Sequence, residues 1–303
     1  MDDTRIGTGV APTWLNEAVG GAALARLKSH PGFPSAVAAS AVSLVELYSG
    51  NRLLNRVLND RGRVLFGFFA LYLDALPEAE GGGLTVSRMA ALAAETGVCS
   101  RGRAKAMLAL MRWGGYLAPA DTADDRRLKP LVPTPRMVSQ QCQRWQAQYR
   151  VIAMLDPRIA PMPAALCERE MFDALVIALA TAFRAGYRVL GGMPRLADIA
   201  DRDSGLMILI ALLVAEAEGR DMPSIAELAR RFHVSRAHVL QLLKDAEAGD
   251  LVARGEGGGA GQLTPAGHAA LDDFFVASFA FLAGAAGAAL EQVAARRARA
   301  ATD

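Results

Sequence analysis

A chain of 303 residues, 52% of them hydrophobic, is long enough to bury two separate cores, and its formal net charge of +2 excludes a whole-molecule field strong enough to attract polyphosphate. Any nucleic-acid contact therefore has to be local. The cysteines, Cys99, Cys142 and Cys167, are odd in number and form no disulfide framework, and the first thirty residues lack an apolar signal core, so a reducing, cytoplasmic location is expected.

Residues 1–30 mix glycine, proline and charge without a sustained period and read as an N-terminal arm with one short helix near Trp14 to Leu27. From Pro31 the chain follows one plan twice, which predicts a first domain over 31–155 and a second over 156–303. Pro31-Gly32-Phe33-Pro34 and Pro161-Met162-Pro163 each precede an alanine-rich helix, Ser35 to Leu47 and Ala164 to Phe183. The polar breaks Asn59-Asp60-Arg61-Gly62 and Asp201-Arg202-Asp203-Ser204-Gly205 then lead into strongly apolar helices, Val64 to Leu76 and Leu206 to Ala217.

In the first half Thr85 starts a helix carrying Met89, Leu92 and Ala93, Gly97-Val98 turns the chain, and Ser100 caps a second helix that faces inward through Ala104, Leu108 and Met111. Arg101, Arg103, Lys105 and Arg112 fall outside that stripe and make this helix basic. Tyr116-Leu117-Ala118 and Leu128 to Val132 are expected to form a hairpin with Arg126 and Arg127 at its tip. These two rank below the helix cations because Asp121, Asp124 and Asp125 precede them.

The second half states the pattern more clearly. Ser224 and Glu227 have capping-box spacing, and Ile225, Leu228 and Ala229 give the first helix its apolar stripe. Phe232-His233-Val234 turns the chain and Ser235 caps a helix with Val239, Leu242, Leu243 and Ala246 inward and Arg236, His238, Gln241 and Lys244 outward. Leu251-Val252-Ala253 and Gln262-Leu263-Thr264 flank a glycine-rich tip whose basic residue is Arg254. Thr264 then caps a helix that starts with Pro265. From Thr85 to Ser100 the chain is four residues longer than from Ser224 to Ser235, about one added helical turn.

The last helix is expected from Pro265 to Arg299 with a break near its glycines, in a bundle with Gln140 to Met154 and Ala164 to Phe183. Its uncharged run Phe274 to Leu290 approaches membrane-spanning length. The alanine and glycine content and the flanking Asp272 and Asp273 favour burial against other helices, or against a second chain, over a bilayer.

Together these elements give a mainly α fold with small β-hairpin wings: two winged helix-turn-helix domains in a pseudo-dimeric helical arrangement. Ser224-Ile225-Ala226-Glu227-Leu228-Ala229, Val234-Ser235-Arg236 and Leu263-Thr264-Pro265-Ala266-Gly267 resemble the winged-helix regulators of the MarR type, with one good repeat and one fair one. Members of that family usually carry one such unit per chain and dimerise through terminal helices, so a tandem chain departs from the pattern by building the dimer internally. The resemblance implies a transcriptional regulator whose second helices enter the major groove of double-stranded DNA while the wings touch the backbone.

On that reading Ser100, Arg101, Arg103, Lys105, Ser235, Arg236, His238, Gln241 and Lys244 are the helix contacts, and Arg126, Arg127 and Arg254 the wing contacts. A plainer reading makes the basic residues a solvated face and the helices a scaffold for a protein partner in a chromosome-associated complex. A plasmid replication initiator is a third reading, for which a more basic chain is expected. Cys99 reads either as a small residue filling the turn or as an oxidation-sensitive thiol beside Arg101 and Arg103, and His238 as a surface residue. No nucleophile elbow, phosphate loop or metal-ligand spacing is present in the sequence, so neither an enzyme nor a cofactor is expected. The linking helices leave room for a small-molecule effector.

Overall fold

A computed structural model describes residues 10–49, 61–120, 130–254 and 259–302, which are mainly helical. In chain order come α1 (Thr13–Ala18), α2 (Gly21–Lys28), α3 (Phe33–Ser49), α4 (Arg61–Ala75), α5 (Val86–Glu95) and α6 (Arg101–Trp113). The strands β1 (Leu117–Pro119) and β2 (Leu131–Pro133) lead to α7 (Pro135–Ile152), α8 (Met162–Ala165) and α9 (Arg169–Arg184). Then follow α10 (Pro194–Ala200), α11 (Gly205–Ala217), α12 (Ile225–Phe232), α13 (Arg236–Ala248), β3 (Val252–Ala253), β4 (Gln262–Leu263) and α14 (Pro265–Ala300).

The compact units cut across the expected division of the chain at residue 155. One comprises Met1–Gly20, Gly62–Tyr187 and Phe281–Asp303, the other Gly21–Arg61 and Arg188–Ala280. The two alanine-rich helices are thereby exchanged between the chain halves. Helix α3 buries Ala36, Val37, Ala41 and Val45 in the second unit, where it lies along the apolar helix α11. Helix α9 belongs to the first unit. Arg169 pairs there with Asp74 of α4 at 2.7 Å, Arg184 pairs with Glu95 of α5 at 2.8 Å, and the Phe183 and Phe69 rings meet edge to face at 5.5 Å. Periodicity marks which face of a helix is apolar but not which core receives it, so the sequence grouped each helix with its chain neighbours.

Other boundaries differ for local reasons. Within the described residues 10–30 the chain is not a loose arm: the expected single helix is two, parted at Val19–Gly20, and Trp14 of α1 packs against Phe281 at 5.9 Å. The helix expected over Ala164 to Phe183 is interrupted between α8 and α9. Helix α14 runs 36 residues without the expected break at its glycines. A Cβ on Gly284 would stand 2.6 Å from the Ala18 Cβ and 2.7 Å from the Trp14 ring, so that glycine admits α1 and leaves the helix intact. By length and composition α14 could cross a bilayer, but every residue from 274 to 290 is buried or half-buried within the protein.

Candidate nucleic-acid interface

The same short-range hydrogen bonds build both candidate sites. Thr85 caps α5 by accepting from the Arg88 amide, and Ser224 caps α12 by accepting from the Glu227 amide while the Glu227 carboxylate accepts from the Ser224 amide at 2.7 Å. Hydrogen bonding to the carboxylate from the Ser224 amide first, and then from the Ser224 side chain, holds the Glu227 carboxyl below its ordinary range. Ser100 and Ser235 cap α6 and α13, each accepting from the amide three residues on. The helices end alike. Tyr116 donates to the Met111 carbonyl and Leu251 to that of Ala246, after Gly115 and Asp250 take positive φ values of 73° and 58°.

Two antiparallel strands follow in each unit, with Leu117 opposite Pro133 and Val252 opposite Leu263. Thr134 and Thr264 close them, each donating its hydroxyl to the carbonyl of the positive-φ residue and capping the next helix. The four added residues in the first unit are shared between helix and turn. Helix α5 has 10 residues against 8 in α12, and the remaining two lengthen the turn, where the sequence suggested a full turn of helix.

Helix α6 buries Ala104, Leu108 and Met111, as its spacing requires, and Arg101, Arg103, Lys105 and Arg112 are exposed. At 3.6 residues per turn, Gly102, Ala106, Ala109, Leu110 and Trp113 lie opposite the buried stripe. The middle of the outward face is therefore apolar, with Trp113 78% exposed. Arg101, Lys105 and Arg112 run along one border of it and Arg103 along the other. The thirteen residues of α6 contain these four cations and no acid. The sequence reading found the cations but missed Trp113 and Leu110, which a helical wheel centred away from the buried stripe would have shown.

Helix α13 carries a different surface. Val239, Leu242, Leu243 and Ala246 are buried, and Gln241 and Lys244 stand in the middle of the outward face with Arg236 on its border. Of the expected contacts, two are engaged by groups of their own unit. The His238 ring donates from Nε2 to the Asp203 carbonyl at 2.9 Å, which fixes the loop before α11. The Arg254 side chain is only 14% exposed and faces Glu247, whose carboxylate also accepts from the Arg254 amide at 3.2 Å. Gln241 is exposed and spends an amide proton on Asp245 at 2.9 Å. Arg126 and Arg127 lie outside the described residues.

Cys99 sits half-buried at the α5–α6 turn, and burial, only partly offset by Arg103, raises its thiol pKa. That is the environment of a small residue filling a turn, not of an activated thiol. Among the described residues no group of three or more His, Cys, Asp or Glu side chains is placed to hold a metal ion.

No family model matches the chain. Searches of curated proteins and of solved structures return no match either. A functional reading therefore stands on the two helices and their surroundings.

Proposed function

We propose that the protein is a sequence-specific, DNA-binding transcriptional regulator whose two units are winged helix-turn-helix domains in a covalent pseudo-dimer. Helices α6 and α13 serve as unequal recognition helices. The observation that carries this reading is the doubled set of caps, turns and hairpin closures around two exposed second helices, the more basic of which bears four cations and no acid. Arg101, Lys105 and Arg112 neutralise phosphates along one edge of the groove while Ala106, Ala109 and Trp113 approach base edges, where small and apolar groups favour thymine methyls. Arg236, Gln241 and Lys244 make the polar contacts of the second half-site. Unequal helices select an asymmetric site. The protein acts in the cytoplasm and needs no cofactor.

The exposed Trp113 and Leu110 favour a second reading, in which α6 docks on a protein partner in a chromosome-associated assembly. One experiment separates the two: purified full-length protein is incubated with fragmented genomic DNA at two salt concentrations and the bound fragments are sequenced. Enrichment of a shared asymmetric site, lost steeply as salt rises, supports the regulator. Absence of enrichment at low salt overturns it.

A further inference from the structure

Cys142 and Cys167 are 25 positions apart in sequence, one on α7 and the other between α8 and α9 of the first unit, and the fold brings their segments together. Cys142 lies on α7 and donates its thiol to the Leu166 carbonyl at 3.4 Å, which brings it against the residue just before Cys167. One helical turn further along the same face of α7, Gln146 donates its amide to the Pro163 carbonyl at 2.8 Å and to the Cys167 sulfur at 3.3 Å. The α8 segment and the residues after it are thus clamped to α7 at two levels, with a sulfur on each side of the clamp. Both sulfurs thus lie at the same clamp, Cys142 on the Leu166 carbonyl of the peptide that joins it to Cys167, and Cys167 on the Gln146 amide one turn along α7.

The pair is chemically unequal in a useful way. Cys167 is exposed, whereas Cys142 is half-buried, and its burial, reinforced by the neighbouring sulfur, raises its thiol pKa. Neither residue serves the candidate interface, and the third cysteine, Cys99, lies at the turn between α5 and α6. A requirement for packing alone would be met by any small side chains and needs no second sulfur opposite the first.

We infer that Cys142 and Cys167 form a reversible thiol–disulfide pair that responds to hydroperoxides, with Cys167 the sulfur attacked first and Cys142 the resolving thiol. The Cys167 thiolate attacks the distal oxygen of the hydroperoxide, the O–O bond breaks, and an alcohol, or water from hydrogen peroxide, leaves with the proton. Cys167 is now a sulfenic acid, two electrons more oxidised. Cys142 attacks that sulfur, the S–OH bond breaks, water departs with the Cys142 proton, and the S–S bond closes. Two thiols and one hydroperoxide give one disulfide, one alcohol and one water; a low-molecular-weight thiol returns the pair to the reduced state by exchange. The bond fastens α7, the helix that follows the first hairpin, to the segment between α8 and α9.

The test uses the reduced full-length chain treated with hydrogen peroxide, quenched by a thiol-alkylating reagent, digested without reduction and mapped by mass spectrometry. The expected product is an intramolecular Cys142–Cys167 linkage with Cys99 still alkylated, formed at least tenfold faster in the folded chain than in urea. Cys142→Ser should stop the linkage and leave Cys167 as a sulfenic acid that a dimedone probe captures, and Cys167→Ser should leave Cys142 alkylated. Full alkylation of both cysteines after peroxide treatment of the folded wild-type chain overturns the inference. So does a linkage that forms as fast in urea, because native proximity would then contribute nothing.

Discussion

Helices α6 and α13 occupy equivalent places behind equivalent serine caps, yet nearly every outward position differs. Ala106 stands where α13 has Gln241, Ala109 where it has Lys244, Trp113 where it has Ala248, and Arg112 where it has Glu247. Only the positions of Arg101 and Arg236 match in charge. The inward positions differ far less: Ala104, Leu108 and Met111 correspond to Val239, Leu243 and Ala246, all buried. Packing and capping keep the two frames alike while the exposed faces diverge. Helix α6 supplies charge and apolar contact, α13 hydrogen-bonding groups.

The strongest way to break this comparison is to remove the basic border of α6. Replacing Arg101, Lys105 and Arg112 together by alanine should reduce DNA affinity on the order of a hundredfold, from the loss of several charge-assisted contacts. A change below twofold in a fluorescence-anisotropy titration would show that α6 is not the main phosphate-binding element. The thermal midpoint should hardly move, because all three side chains are exposed.

The frames themselves differ at one backbone contact. A Cβ on Gly267 would lie 2.1 Å from the Leu251 carbonyl oxygen, while the matching helix position in the first unit holds the buried Met137. Gly267→Ala should therefore destabilise the chain by about 1–3 kcal/mol, measured by urea denaturation, through a backbone shift at the second hairpin. An unchanged midpoint would mean that the first turn of α14 is free to retreat from Leu251.

Smaller effects sharpen the contrast between an apolar and a polar face. Trp113→Ala should change stability by no more than about 0.5 kcal/mol, the side chain being exposed, yet weaken DNA binding severalfold; loss of a protein partner with DNA affinity intact would favour the scaffold reading instead. Replacing thymine by uracil, which removes only the methyl group, should weaken binding at the α6 half-site by a small factor and leave the α13 half-site unaffected. Equal sensitivity of the two half-sites would remove the chemical distinction between the helices.

What was legible in the sequence was local. Ser224-x-x-Glu227, Ser100, Ser235 and the Thr-Pro pairs announce helix starts through bonds spanning three residues, and each of these caps forms. The exchange of α3 and α9 was not legible, because an alanine-rich amphipathic stripe carries no address for the core that will bury it. The glycine at 284 looked like a helix break because glycine weakens isolated helices, whereas its partner is Trp14, some 270 residues earlier in the chain. At the candidate interface, residue type identified donors but not their orientation. His238 and Arg254 read as outward contacts, and only the neighbouring Asp203 carbonyl and Glu247 carboxylate tie them back to the protein itself.

The most direct test of the central claim is the salt dependence of DNA affinity for the wild-type chain, the Arg101/Lys105/Arg112 triple alanine variant and an Arg236/Lys244 double alanine variant, each on the enriched site. Each lost phosphate contact should flatten the log–log slope by about 0.9, so the α6 variant should lose up to about 2.7 and the α13 variant no more than about 1.8. Slopes indistinguishable among the three proteins would contradict the placement of either helix on DNA.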